Sequence, residues 1–184
     1  MILILSLFPG IGLLDIAFQE EWPGVCIVRG PDLIWGADVR AFHPPAGVFD
    51  GVIGGPPCQE FSALAHMLRH KGIKPRFGNM IPEFVRCVEE ASPRWFLMEN
   101  VRGAPVPKPE GYGVHSFMLG NHQIASADGL GQEQKRDRRL SFGVRAGPGI
   151  DLRRWINYAL LELPASSATA WERGEERLQA GLCV

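Results

Sequence analysis

The chain has 184 residues, 46% of them apolar and 21% charged, with a formal net charge of −1. That length suits one domain with a real hydrophobic core and is short for an α/β enzyme that also carries a substrate-recognition domain. The composition is that of an ordinary globular protein, and no apolar run approaches the ~20 residues of a membrane-spanning helix.

Residues 1–7 read as a first strand. The apolar start Met1-Ile2-Leu3-Ile4-Leu5 lacks a basic leader and runs straight into Phe8-Pro9-Gly10-Ile11-Gly12. That separates it from a secretory signal, so an intracellular, cytoplasmic protein is expected. Residues 12–21 read as a helix carrying Leu13, Leu14, Ile16, Ala17 and Phe18, residues 25–29 as a second strand, and Asp38-Val39 as the end of another short extended piece. Residues 49–53 form an apolar run closed by glycines and prolines, the pattern of a buried strand. Residues 82–91 read as a helix with proline in its first turn, and residues 95–98 as a buried strand ending at Glu99-Asn100-Val101. This alternation predicts an α/β fold with a doubly wound, mostly parallel sheet covered on both faces. Residues 114–119 and 140–144 read as later strands, antiparallel at an edge, and residues 103–113, with Pro105, Pro107 and Pro109, as a loop. Residues 150–163 fit a helix or a strand, and beyond Pro164 a linker leads into a polar stretch. The domain reading is a catalytic unit over 1–150 and an extension over 151–184.

Cys26, Cys58, Cys87 and Cys183 show no CxxC spacing, so neither a zinc site nor a disulfide framework is expected. Cys26 and Cys87 sit in apolar contexts and read as packing residues. His66 and His70 stand four apart with no third ligand evident, and no metal is expected. Positive charge gathers in two segments: residues 62–78 with Arg69, Lys71, Lys74 and Arg76, and residues 135–154 with Lys135, Arg136, Arg138, Arg139, Arg145, Arg153 and Arg154. Either alone fits a solvated face; two of them flanking one site favour a phosphate-bearing partner.

Three short patterns bear on chemistry. Gly54-Gly55-Pro56-Pro57-Cys58-Gln59 puts a thiol on a rigid turn at the end of a strand, where open α/β sheets place their ligand crevice. The prolines leave Cys58 little backbone freedom, which suits a nucleophile. Phe8-Pro9-Gly10-Ile11-Gly12 joins a strand to a helix and fits either a cofactor-approaching loop or a simple tight turn. Asp32 is the nearest candidate acid for a cofactor ribose and equally a turn residue. Glu99-Asn100 puts a carboxyl on the same sheet edge as Cys58, as a proton carrier or as a loop carboxylate bonded to local amides. Gln134, Arg136 and Arg138 alternate as on one face of a strand, either lining a pocket or facing solvent.

In this order, Pro56-Pro57-Cys58-Gln59, Glu99-Asn100-Val101 and Gln134-x-Arg136-x-Arg138 resemble the signatures of the cytosine-C5 DNA methyltransferases, over roughly residues 1–144. The resemblance implies a Rossmann-like catalytic domain, S-adenosylmethionine as cofactor, and a DNA cytosine swung out of the duplex. It implies Cys58 as the thiolate that adds to carbon 6, Glu99 on the N3/N4 edge, Arg138 toward O2 with Arg136 in support, and the Pro57 carbonyl on the exocyclic amine. On the cofactor side it implies Phe8, Gly10, Ile11 and Gly12 at the methionine portion and Asp38 with Val39 at the adenine, with Asp32 and Pro56 as further contacts. Residues 62–78 match the family's loop that closes over DNA. Ser6 stands where the family usually has an acid, and neither a target-recognition domain nor the family's Gly-Asn helix is visible. The alternatives are therefore the catalytic half of a split enzyme, with a second polypeptide supplying target recognition, or a remnant that binds cofactor or nucleic acid without catalysis. Cytosine in RNA would suit the same constellation.

Overall fold

The computed structural model describes residues 1–61, 67, 70–72, 77–120 and 136–145. They fall into two units: residues 1–117 with 139–145, and a second that holds 118–120 and 136–138. The expectations for residues 150–163, the tail, Gln134, His66, most of residues 62–78 and half of residues 135–154 lie outside the described residues.

Six strands form one sheet in the order β2-β1-β3-β4-β6-β5. They are β1 (Ile2–Leu7), β2 (Val25–Arg29), β3 (Gly51–Gly54), β4 (Trp95–Val101), β5 (Tyr112–Gly120) and β6 (Asp137–Arg145). β1 pairs in parallel with β2 and with β3, and β3 with β4, with Leu5 opposite both Val28 and Val52, and Val52 opposite Phe96. β6 runs the other way beside β4: the Arg145 amide donates to the Arg94 carbonyl at 3.0 Å, while the Arg139 side chain donates to the Arg102 carbonyl at 2.8 Å. β5 in turn opposes β6, with the Ser116 and Ser141 hydroxyls 3.1 Å apart and the Arg145 guanidinium over the Tyr112 ring. The sheet is mostly parallel with an antiparallel edge, as the element order predicts.

Trp95 and Phe96 show how both faces are covered, since consecutive strand residues point to opposite sides. Phe18 of α1 (Leu13–Glu21) stacks on Trp95 at 5.9 Å. Phe84 of α2 (Ile81–Ala91) meets Phe96 edge to face, also at 5.9 Å. Helix α2 buries Phe84, Cys87, Val88 and Ala91, the spacing of one helical face, and the chain leaves it through Ser92 in the left-handed region (φ 53°). Gly51 lets the Trp95 ring lie against β3, for any Cβ there would run into the indole.

β5 begins at Tyr112, inside the expected loop, and β6 begins at Asp137, ahead of its expected start, while one further element differs in kind. Asp38-Val39 does not end a strand: residues 33–35 and 39–41 are single 3-10 turns. The cause is local, because the Asp32 carboxylate accepts from the Ile34 amide at 2.7 Å and Asp38 from the Arg40 amide at 3.0 Å. Such side-chain bonds to backbone satisfy amides that a ladder would otherwise use. Among the described residues, no helix is long and apolar enough to cross a membrane.

Candidate active site

The carboxyl ends of β1, β3 and β4 lie side by side because the strands are parallel neighbours. Each feeds a segment that the sequence singles out: residues 8–12 after β1, residues 55–58 after β3, and Glu99 to Val101 at the end of β4 itself. This edge is where open α/β sheets bind ligands.

The loop after β1 is held in an unusual backbone conformation. Phe8 and Gly10 both have φ of 53°, and Gly12 has φ of 82°. A positive φ at a residue with a Cβ stores strain and persists only where its surroundings impose it. Here they do, since Phe8 is buried, the Gly12 amide donates to the Pro9 carbonyl at 2.7 Å, and Asp32 accepts from the Gly10 amide at 2.8 Å. Trp35, itself 70% exposed, donates from its indole nitrogen to the Gly10 carbonyl at 3.2 Å. Nothing lies within 4 Å of where a Gly10 Cβ would stand, so the loop leaves open space at its glycine, the shape that a closely approaching cofactor requires.

A buried acid from α1 meets Ser6 of β1. Asp15, 1% exposed, accepts from the Ser6 hydroxyl at 2.5 Å and from Arg29 Nε at 2.7 Å. The Arg29 guanidinium then lies across Gly12, where any Cβ would strike it. Ser6, Asp15 and Arg29 thereby join β1, α1 and β2 beneath the glycine loop.

On the other side, Gly54 approaches the Leu7 carbonyl so closely that a Cβ would stand 2.6 Å from it. The turn beyond carries Pro56, buried, then Pro57 and Cys58, both half-buried, with Cys58 opening a 3-10 turn over Cys58–Glu60. A Cβ on Gly55 would stand 3.4 Å from Glu99 Oε2, so the Glu99 carboxyl rests against the turn that aims Cys58. Asn100, fully buried, faces the other way: its Nδ2 donates to the Pro56 carbonyl at 3.0 Å and its Oδ1 accepts from the Val101 amide at 2.8 Å. Gly103 closes the edge, with a Cβ position 3.0 Å from the Phe61 carbonyl.

Asp38 caps the turn that holds Val39, which is 1% exposed. Its carboxylate takes two hydrogen bonds from Arg40 Nε, at 3.0 and 2.9 Å, and the side-chain bond and charge of Arg40 hold its pKa below the usual carboxylate range.

The structure thus brings Phe8, Gly10, Gly12 and Asp32 together in one loop assembly, and Pro56, Pro57, Cys58 and Glu99 in another. Ile11 is 76% exposed at the loop tip. Arg136 is exposed just before β6, and Arg138 is half-buried within it; both belong to the second unit. Sequence reasoning missed Asn100, Asp15 and Arg29. The available signal was the polar residue in each apolar run: an acid among Leu13, Leu14 and Ile16, and an amide beside Glu99 on a strand whose neighbours alternate.

The strand order and the gathered strand ends define a methyltransferase-type α/β fold. The Dnmt2 methyltransferase of S. pombe superimposes with a TM-score of 0.57 at 16% identity, over 91% of this chain and 56% of that one. The methyltransferase EhMeth of Entamoeba histolytica gives a TM-score of 0.54 at 12% identity, over 82% and 55%. Residues 37–167 match the family model of C-5 cytosine-specific DNA methylases, and the chain belongs to that family. The type II methyltransferase M.NgoPII of Neisseria gonorrhoeae is 30% identical over 165 residues, covering 77% of this chain and 48% of its own length. M.AquIA of Picosynechococcus sp. is 31% identical over 183 residues, covering 78% and 72%. The chain spans about half the length of M.NgoPII and about a third (32%) of M.FnuDI from Fusobacterium nucleatum.

Proposed function

We propose that this chain transfers a methyl group from S-adenosylmethionine to carbon 5 of cytosine in DNA. The observation that carries the reading is the joint between β3 and β4, where Glu99 lies against Gly55 while Asn100 holds Pro56 beside Cys58. A carboxyl and a thiol are thereby offered from adjoining strand ends.

Carbon 5 of cytosine is a poor nucleophile. Cys58, as thiolate, adds its sulfur lone pair to carbon 6, and the electrons of the 5,6 double bond move toward carbon 5. Glu99, carrying or sharing a proton, holds the N3/N4 edge and stabilises the resulting enamine; the Pro57 carbonyl accepts from the exocyclic amine, and Arg138, supported by Arg136, donates to O2. When bound, S-adenosylmethionine supplies a methyl group made electrophilic by its sulfonium sulfur. Removal of the carbon 5 proton by a base then lets the carbon–sulfur bond break, which returns Cys58 as thiolate. The target base leaves the duplex to reach this edge.

The open space at Gly10 and the imposed backbone of Phe8 support a cofactor at this loop. Phe8, Gly10, Ile11 and Gly12 hold its methionine portion, Pro56 flanks it, and Asp38 with Val39 takes the adenine. Asp32 spends one bond on Gly10 and one on Ile34, leaving lone pairs for a ribose hydroxyl. Basic residues in 62–78 and 135–154 supply charge for phosphates, within a catalytic domain over 1–150 extended by 151–184.

A second reading gives target recognition to a separate polypeptide. The apolar side chains Leu13, Ile34 and Trp35, each at least 66% exposed among the described residues, favour it.

The test is incubation with a duplex containing 5-fluorocytosine plus cofactor, read by mass for a covalent adduct. An adduct absent from Cys58→Ala supports the reading. No adduct, with cofactor binding intact, selects the non-catalytic alternative, and one formed only with a partner chain selects the split enzyme.

A further inference from the structure

Within the segment between β2 and β3, one side chain from α2 fixes the turn over residues 38–42. Arg86 Nη2 donates to the Val39 carbonyl at 2.9 Å and Nη1 to the Phe42 carbonyl at 3.0 Å. The Val39 carbonyl also accepts from the Phe42 amide at 3.0 Å, so the guanidinium grips both ends of the turn that begins at Asp38. Glu83 and Glu90, one helical turn to either side, brace Arg86 at 2.9 and 2.8 Å, and His43 meets Glu90 at 3.1 Å. Burial works against its charge, but the bonds it donates to Glu90 and Glu83 outweigh that and raise its pKa well above the ordinary value. The guanidinium is planar and forked, so it can span two carbonyls that a single ammonium could not hold together.

We propose that Arg86 is a positioning residue for the nucleoside half of the cofactor. It acts through the turn, which presents the Asp38 carboxylate to the exocyclic amine of the adenine. This rests on the reading that S-adenosylmethionine binds at Asp38 and Val39. Glu83, Glu90 and His43 serve the same end by orienting the guanidinium. The effect is directional: loosening the turn costs the interaction with the amine and spares contacts made elsewhere along the ligand.

The experiment is calorimetric binding of S-adenosylhomocysteine and of the same thioether with hypoxanthine replacing adenine, to the full chain and to its Arg86→Met and Arg86→Lys variants. The wild type is expected to favour the adenine compound. Arg86→Met should lose roughly 10- to 100-fold in affinity for it, the scale of one or two charge-assisted hydrogen bonds. Affinity for the hypoxanthine compound should change by less than about threefold, because no exocyclic amine is there to lose. Arg86→Lys, which keeps the charge and can hold one carbonyl, should fall between and stay folded if Arg86→Met does not. An unchanged ratio of the two affinities in the folded variants, with any loss shared equally, makes Arg86 merely structural and overturns the proposal alone. A wild type that binds neither compound overturns the cofactor reading, and the assignment with it.

Discussion

Asn100 Nδ2 donates to the Pro56 carbonyl over 3.0 Å, from the penultimate residue of β4 to the turn two residues before Cys58. Glu99 and Asn100 are adjacent on a strand and point to opposite sides, so one offers its carboxyl to the edge while the other anchors the backbone that carries the thiol. Asn100→Ala leaves a buried carbonyl without its donor, at a cost of about 1–3 kcal/mol in unfolding free energy. Asn100→Asp puts an acceptor against that carbonyl and should cost more. Urea unfolding checks the order of the two. Methyl transfer by Asn100→Ala should fall further than its cofactor affinity, since the aim of Cys58 is disturbed and the glycine loop is not.

Asp15 and Arg29 are unequal partners: the first is 1% exposed and the second 58%. Arg29→Ala leaves the buried Asp15 carboxylate without its cation, so its cost exceeds the roughly 1 kcal/mol of an exposed ion pair. Asp15→Asn instead puts an amide donor among donors in a buried place, and about 1–3 kcal/mol should be lost. Denaturation of the two variants should show both folds weaker than the wild type. Both should bind cofactor less well, because the guanidinium that lies across Gly12 is removed in one and released in the other.

Gly10 and Gly143 separate function from packing. A Cβ at Gly10 meets nothing within 4 Å, whereas one at Gly143 would run into the Phe96 ring. That ring cannot retreat, being fully buried between Phe84 at 5.9 Å and Tyr112 at 5.7 Å. Gly143→Ala should therefore destabilise by about 1–3 kcal/mol, as overpacking does, with cofactor affinity little changed. Gly10→Ala has a φ of 53° to accommodate, which costs about 1–2 kcal/mol for a side chain in the left-handed region. Its methyl fills the open space, so its binding loss should be the larger one. Equal cofactor affinity for Gly10→Ala and the wild type would remove the glycine loop from the site.

The chain order of strands and helices was legible because apolar runs end at Gly, Pro or Asp wherever the backbone turns, and Cys58 and Glu99 were legible because they stand at such ends. The Asp38 region was misread for a physical reason: Val39 and Phe42 favour a strand, but two aspartates cap the backbone first. Asn100, Asp15 and Arg86 were hidden for another. Each acts through a partner at least 9 residues away in sequence: Pro56 for Asn100, Ser6 and Arg29 for Asp15, and the Val39 and Phe42 carbonyls for Arg86. A pattern of residue types carries the period of an element but not the identity of what crosses to meet it. Cys58 and Cys87, two free thiols, differ in sequence context and differ again in burial, the first half-buried and the second buried.

That difference gives the last prediction. Cys87 is fully buried on α2, and burial pushes its thiol from the ordinary 9.0 up to about 11, with the charge of Arg86 opposing and those of Glu90 and Glu83 adding. The folded state holds this proton more tightly than the unfolded chain. The stability it contributes is therefore complete below pH 9.0 and is lost as the pH rises through about 11. Its scale is on the order of 2 kcal/mol, from the free energy carried by each unit of pKa difference. Cys87→Ala removes the titration and opens a small cavity, so it should be less stable at pH 7.5 and lose less on going to pH 10.5. Unfolding free energies of both proteins at those two pH values check this: a gap that narrows with pH supports the buried thiol as its source, and parallel behaviour refutes it. Native-state alkylation near pH 8 gives the complementary readout, with half-buried Cys58 modified and Cys87 spared until the fold opens.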